Sequence, residues 1–265
     1  MYKFSACIDM MYRAETRFEA RVLLAAADSV AGIEFWKWSN KDLTALKAAL
    51  DGSGMKAVLS NLDSRDEPLS AALSRGVVAA GRTDELIRSI RESAPVMHAL
   101  GMNKAIVLAG DADPALPFEA ALENAKETLF HAARAAADEG LTLLFEPLNT
   151  YDRPSYVMPY SETAFDIVKS VDSANLKVLF DIYHAQRMEG NLVDTIRRNI
   201  AHIGHFHVAN SPYRCEPDSG EIDYAYVLSE IGRLDYGEWI GFEYIKRSEA
   251  FSLGEYIKKL GGIRR

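Results

Sequence analysis

Residues 140–154 read GLTLLFEPLNTYDRP and place a charge where a buried strand should end. A glycine opens the stretch, an apolar run follows, and Glu146 and Pro147 then interrupt it. A carboxylate at the end of a buried strand costs several kcal/mol unless a cation or hydrogen-bond donors receive it. The stretch therefore predicts a strand that ends where some such group meets Glu146.

Apolar runs of the same kind recur along the chain and alternate with amphipathic helix patterns. Eight strands are predicted, over residues 3–10, 32–38, 55–62, 104–110, 141–148, 176–184, 203–210 and 238–244. Eight strand–helix units in 265 residues predict a single-domain (β/α)8 barrel over residues 1–265, the TIM-barrel architecture of the α/β class. An open doubly wound sheet is the runner-up, although the glycine-rich phosphate turn expected of it is absent from the sequence.

The connection over residues 62–82, LDSRDEPLSAALSRGVVAAGR, departs from the short loops found elsewhere. It is polar at first and then weakly helical. Two interpretations stay open: a lid over the mouth of the barrel, or a surface excursion without a role.

Composition excludes several classes of function. The net charge is −8, which opposes binding to a polyanion such as nucleic acid. Two cysteines without CxxC spacing argue against a disulfide framework and against a zinc ribbon. No secretion signal is evident at the N-terminus, and no apolar run approaches the roughly 20 residues that span a bilayer. We therefore expect a cytoplasmic protein with neither a nucleic-acid nor a membrane partner.

Four consecutive predicted strands each end on a potential metal ligand: Glu146, Asp181, His207 and Glu243. Any one of them alone is explained by a cap, a salt bridge or a hydrogen-bonded core residue. Together they lie at the same end of a parallel barrel, where the active sites of such barrels occur. Three carboxylates and one imidazole suit a hard divalent cation, so the sequence predicts one Mg²⁺, Mn²⁺ or Co²⁺ ion.

Several motifs resemble one family over nearly the whole chain. FEPLNTYDRP, VLFDIYHAQRMEGNL, IGHFHVANSPYRCEPDSGEIDY and GFEY are similar to the hydroxypyruvate isomerase branch of the xylose isomerase-like barrels. The resemblance implies that the four strand-end residues hold one divalent metal ion, while Glu146 and Glu243 are catalytic and shuttle a proton. It also implies substrate contacts for His184 and Arg214, and a homodimer or homotetramer.

The activity implied by this resemblance is isomerisation of a small hydroxy-keto acid or keto sugar through an enediolate that the metal stabilises. His207 stands where that branch often has Gln, and Cys215 stands where a His is common in PYRHEP. A ketose 3-epimerase, or a metal-dependent lyase or dehydratase acting on a keto sugar or keto-glycoside, therefore stays open. A DNA-repair endonuclease would need more histidines at strand ends, and both glutamates speak against a sugar-binding barrel without catalysis.

Further candidates for substrate binding come from residue type and position. Arg214 offers a planar fork for a substrate carboxylate, or forms a salt bridge to Glu216 or Glu221. Trp36 and Trp38 alternate along a strand and either stack on a sugar or pack against a helix. Polar residues near strand ends, among them Asn149, are candidates for hydroxyl recognition or ordinary loop residues. The predicted substrate-binding set is His184, Arg214, Glu216, Asn61 and Trp38.

Overall fold

The computed structural model describes residues 2–261 and shows a closed barrel of eight parallel strands. The strands are β1 (Lys3–Cys7), β2 (Gly32–Phe35), β3 (Lys56–Asn61), β4 (Lys104–Leu108), β5 (Thr142–Glu146), β6 (Leu176–Asp181), β7 (Ile203–Val208) and β8 (Trp239–Phe242). Each strand pairs with its neighbours in the chain, and Lys3 of β1 lies opposite Trp239 of β8. This closure confirms the predicted (β/α)8 barrel and excludes the open sheet.

Helices surround the barrel. They are α1 (Ala20–Ala27), α2 (Leu43–Ser53), α3 (Glu67–Arg75), α4 (Thr83–Ala99), α5 (Phe118–Asp138), α6 (Ser161–Val171), α7 (Ile182–Met188), α8 (Leu192–Asn199), α9 (Tyr224–Arg233) and α10 (Leu253–Gly261), with a 3-10 turn at Ile200–His202. Gly101 and Gly140 follow α4 and α5 with φ of +81° and +67°, the left-handed conformation that ends a helix at little cost to glycine. None of the helices within residues 2–261 is both long and apolar enough to cross a membrane.

The strands are buried on both faces, which explains why the sequence shows apolar runs rather than alternation. Every residue of β2 and of β7 is buried. Side chains of these strands that point into the barrel are therefore largely shielded from bulk water, so a charged residue among them needs a partner inside the protein.

The sixth strand is shorter than predicted, because the chain turns into α7 at Ile182. Asp181 ends β6 and caps this helix: its Oδ1 accepts the backbone N–H groups of Tyr183 (2.8 Å) and His184 (3.2 Å). The apolar residues that follow Asp181 fit a strand or a short helix equally well, so periodicity alone could not separate the two. As a result, α7 and not β6 positions His184.

The connection over residues 62–82 contains α3, whose first turn is capped by Asp66. Leu62 and Ser74 face the cavity at the mouth of the barrel. Beyond α3, the backbone N–H of Ala79 donates to the carbonyl of Ala109 at 2.9 Å, which ties the segment to the loop after β4. Its function as a lid stays a prediction.

Candidate active site

The ends of β5 to β8 bring together the four residues expected to bind metal. One potential ligand atom from each of Glu146, Asp181, His207 and Glu243 lies within 4.8 Å of the others. His207 Nδ1 is 3.3 Å from Glu243 Oε2 and 3.7 Å from Glu146 Oε1. All four side chains are buried. The sequence thus identified residues that converge on one point.

The donor atoms of this cluster fit a single divalent ion. Asp181 Oδ2 and His207 Nδ1 are buried and have no hydrogen-bond partner among the described residues. Buried polar atoms without a partner are rare in native proteins, and an ion between them would satisfy both. Oxygen donors with one imidazole nitrogen suit Mg²⁺, Mn²⁺ or Co²⁺.

The two glutamates of the cluster differ in acidity. Burial raises the pKa of Glu146 to about 7, although His207 opposes the shift. Burial also acts to raise the pKa of Glu243, but Arg214 and then His207 outweigh it and hold that pKa well below its usual range. At neutral pH, Glu243 is therefore ionised while Glu146 can carry a proton, the difference that an acid–base pair requires.

Arg214 reaches into the cluster and contacts carboxylates there. Its Nη2 lies 2.5 Å from Glu243 Oε2 and 3.6 Å from Asp181 Oδ2, and its Nη1 lies 3.8 Å from Asp152 Oδ2. The alternative prediction, a salt bridge to Glu216 or Glu221, is wrong. The guanidinium group lies near the carboxylates of Glu243, Asp181 and Asp152 instead.

Glu216 is held by the chain rather than aimed at the cavity. Its Oε1 accepts the backbone N–H groups of Arg247 (2.6 Å) and Ser248 (2.7 Å) in the segment after β8. The side chain is buried at 4% exposure. The structure thus places this predicted substrate-binding residue where it fixes a loop.

His184 lies beside the cluster as a neutral hydrogen-bond donor. Its Nδ1 accepts the backbone N–H of Asn149 at 3.0 Å and the Asn149 side-chain amide at 2.6 Å, so Nε2 carries the ring proton. Burial, and then Arg214, lowers the pKa of His184 well below its usual value. Nε2 is 3.5 Å from Asp181 Oδ2. Asn149 therefore positions His184, a function that its place in the sequence did not reveal.

The two tryptophans after β2 have different environments. Trp38 is buried in the core, where its Nε1–H donates to Ser93 Oγ at 3.0 Å. Trp36 lines the cavity instead, and its Nε1–H donates to Glu243 Oε1 at 2.8 Å. Because β2 ends at Phe35, the strand alternation that would place both rings on one side does not continue.

A cavity of about 410 Å³ opens above the cluster. It is lined by Asp9, Trp36, Lys37, Asn40, Lys41, Asn61, Leu62, Ser74, Leu108, Glu146, Leu148, Arg153, Arg214 and Glu243. Asn61 is thus placed at the cavity, and its Oδ1 has no hydrogen-bond partner within residues 2–261.

Lys37 differs from the other cations that line the cavity. Lys41 pairs with Asp9 at 2.8 Å, and Arg153 pairs with Asp111 at 2.9 Å. The ammonium group of Lys37 donates to a serine hydroxyl at 3.1 Å and, within the described part of the chain, has no carboxylate at salt-bridge distance. Lys37 is therefore available to an anionic ligand.

Sequence reasoning missed Glu34, which lies inside the barrel next to His207. Burial acts to raise the pKa of Glu34, but His205 and His207 outweigh it and lower that pKa. The one signal was a charged residue in the middle of the apolar run GIEFWKW.

Comparisons with known proteins agree with the resemblance seen in the motifs. The family model described as xylose isomerase-like TIM barrel matches residues 22–261. A 2-oxo-tetronate isomerase from Cupriavidus necator is 38% identical over 253 residues, 94% of each chain. A hydroxypyruvate isomerase from Escherichia coli is 34% identical over 245 residues, 92% of this chain and 93% of the relative. A crystal structure named AP endonuclease, family 2, from Brucella melitensis superposes with a TM-score of 0.88 at 30% identity, covering 100% of both chains.

Proposed function

We propose, since this chain belongs to the xylose isomerase-like TIM barrel family, that it is a metal-dependent isomerase of a small hydroxy-keto acid. The observation that supports the proposal is the convergence of four potential metal ligands, two of which, Glu146 and Glu243, line one cavity and differ in acidity. The two curated relatives favour this activity, because both are named as isomerases of keto acids.

The residues of the cluster have different proposed functions, metal binding and proton transfer. A divalent ion held by Glu146, Asp181, His207 and Glu243 would act as a Lewis acid that stabilises negative charge on a substrate oxygen. Isomerisation moves one proton between two carbons and one between their oxygens. Glu243, ionised, takes the carbon-bound proton to give an enediolate, exchanges that proton with water in the cavity that it lines, and then protonates the neighbouring carbon. Glu146, which lines the cavity, transfers the hydroxyl proton to the former carbonyl oxygen.

Arg214 and His184 support these proton transfers. Arg214 keeps Glu243 ionised and oriented through its contact at 2.5 Å. His184 offers its Nε2–H to a substrate oxygen, because its Nδ1 is occupied by Asn149. If Glu146 instead acted on carbon from the opposite face, the product would be an epimer, so the identity of the product separates the two reactions.

We further propose that Lys37 binds the carboxylate of the substrate. The sequence favoured Arg214 for this function, but Arg214 already faces Glu243, Asp181 and Asp152. A fourth carboxylate at that guanidinium would face strong repulsion. Lys37 lines the same cavity and has no carboxylate partner within residues 2–261, and Trp36 and Asn61 line the cavity alongside it.

The isomerase is preferred to the activity named for the Brucella structure. A net charge of −8 opposes approach to a DNA backbone. Cytoplasmic localisation and a homodimer or homotetramer stay predictions.

The test is direct conversion. Protein stripped with a chelator and then reloaded with Mn²⁺ is incubated with hydroxypyruvate and with 2-oxo-tetronate, and the products are identified by proton NMR. We expect the reloaded protein to form the isomer in which the carbonyl and hydroxyl groups have exchanged places on two adjacent carbons. The stripped protein should form none of this isomer. Conversion of neither acid by protein that demonstrably holds Mn²⁺ would refute the proposal.

A further inference from the structure

Glu34 is a buried carboxylate that the proposed reaction does not use. It belongs to β2, is 2% exposed, and does not line the cavity. Within residues 2–261, no Lys or Arg lies at salt-bridge distance from it; its charged-group neighbours there are two histidines, His205 and His207. An ionised carboxylate inside a barrel is costly, so its retention calls for a local reason.

The contact with His207 supplies that reason. Glu34 Oε2 lies 2.8 Å from His207 Nε2. A carboxylate accepts, so the proton of a neutral His207 ring resides on Nε2. The lone pair is then on Nδ1, the atom 3.3 Å from Glu243 Oε2 and 3.7 Å from Glu146 Oε1. Glu34 thus selects the tautomer that directs a free nitrogen toward the cluster.

The rest of the environment holds the Glu34 carboxylate in place. Its other oxygen, Oε1, accepts the hydroxyl of Ser5 and lies 2.9 Å from His205 Nε2. Gly241 of β8 stands opposite His207 in the strand register, and a Cβ there would collide with Glu34 Oε1. The Glu34 carboxylate therefore occupies the space that a side chain at Gly241 would fill, and contacts with Ser5 and His205 hold it there.

We propose that Glu34 is a positioning residue for the metal centre: it holds His207 in the tautomer and orientation that bind a divalent ion through Nδ1. The proposal rests on the metal dependence of the proposed function. Loss of such a neighbour of a ligand typically weakens metal binding by about 10- to 100-fold.

The first test is Mn²⁺ affinity measured by calorimetric titration without substrate. Glu34→Gln should bind Mn²⁺ about 10- to 100-fold more weakly than wild type. Glu230→Gln is the matched control, because Glu230 is equally buried at 3% exposure but pairs with Arg197 and Arg233 on the helices. It should lose stability and keep its affinity for Mn²⁺.

A second variant and a spectroscopic readout keep the proposal testable if Glu34→Gln folds poorly. Gly241→Ala should displace the carboxylate without removing its charge, and should weaken Mn²⁺ binding in the same direction. Proton NMR of the Mg²⁺-loaded wild type should show the Nε2–H of His207 shifted downfield by its hydrogen bond to a carboxylate, and this signal should move upfield in Glu34→Gln.

The outcomes separate this proposal from the function on which it rests. Wild-type affinity in both Glu34→Gln and Gly241→Ala, with an unchanged Nε2–H signal of His207, would overturn the role of Glu34 alone. A wild-type protein that binds no Mn²⁺ would overturn both proposals. Weak Mn²⁺ binding by Glu34→Gln, together with no conversion of keto acids by wild type, would support the role of Glu34. It would refute only the proposed isomerase activity.

Discussion

The two halves of the barrel mouth are built from different chemistry. The ends of β5 to β8 carry Glu146, Asp181, His207 and Glu243, all buried at 6% exposure or less. The ends of β2 to β4 present Trp36, Lys37, Asn61 and Leu108 to the same cavity, with no carboxylate among these four. The first set offers donor atoms that suit a cation, and its members shift one another's pKa values, whereas the second set can contact a ligand without changing charge. We therefore propose that the first half carries out the reaction and that the second half recognises the substrate.

We call the half formed by the ends of β5 to β8 the acidic half. The largest effect is expected from removing the proposed base, Glu243, in this half. Glu243→Gln keeps the shape of the side chain but cannot take a proton, so turnover at saturating Mn²⁺ should fall by about 10²- to 10⁴-fold. Steady-state kinetics with hydroxypyruvate measures it. Glu249→Gln is the control, because Glu249 is an exposed partner of Lys246, and it should match wild type. Turnover of Glu243→Gln within a few-fold of wild type would contradict the assignment.

A smaller effect, on binding of the ion, is expected from Asp181→Asn. Asparagine caps a helix about as well as aspartate, so α7 should be retained. The substitution removes the negative charge that faces the cluster. Loss of a residue that only supports a metal ligand weakens metal binding by about 10- to 100-fold, and loss of this proposed ligand should weaken Mn²⁺ binding by at least as much. Calorimetric titration measures this change.

The control for Asp181→Asn is another helix cap. Asp42 accepts the backbone N–H of Ala45 at 2.9 Å at the start of α2, and Asp42→Asn should leave Mn²⁺ affinity unaltered. Equal affinities in Asp181→Asn and wild type would mean that the aspartate acts only as a cap.

The smallest effect is expected in the recognition half. Lys37→Met should raise KM for a keto acid by about 10- to 100-fold, since a hydrogen bond to a charged group contributes about 1.5–3 kcal/mol. The kcat should stay near wild type because Lys37 takes no part in proton transfer. Lys47→Met, on the surface of α2 beside Asp51, is the control. An unchanged KM in Lys37→Met would place the substrate carboxylate elsewhere.

The acidic half was readable from the sequence because its signal is simple. Apolar runs such as LTLLF predict buried strands, and each run from the fifth to the eighth ends on one charged or imidazole residue. Parallel strands in a barrel finish at the same end, so residues at the ends of successive strands lie close together in space. The fold and the convergence of these four residues follow from the same rule.

The residues proposed to recognise substrate and the residue proposed to support the metal site could not be predicted in this way. Whether Trp36 or Trp38 faces the cavity depends on the turn after Phe35, where strand alternation stops. Glu216 looked like a binding residue but satisfies two backbone N–H groups. Glu34 is hidden in a strand buried on both faces, where periodicity cannot tell which way a side chain points.

Carbon-bound deuterium tests the central claim most directly: that the acidic half moves a carbon-bound proton with the help of an ion. Hydroxypyruvate is incubated in D₂O with Mn²⁺-loaded protein, with chelator-stripped protein and with Glu243→Gln, and deuterium at carbon is measured by NMR and mass spectrometry. We predict incorporation above the buffer rate by the loaded wild type alone. Incorporation at the buffer rate by the loaded wild type, or an equal rate in Glu243→Gln, would contradict the account.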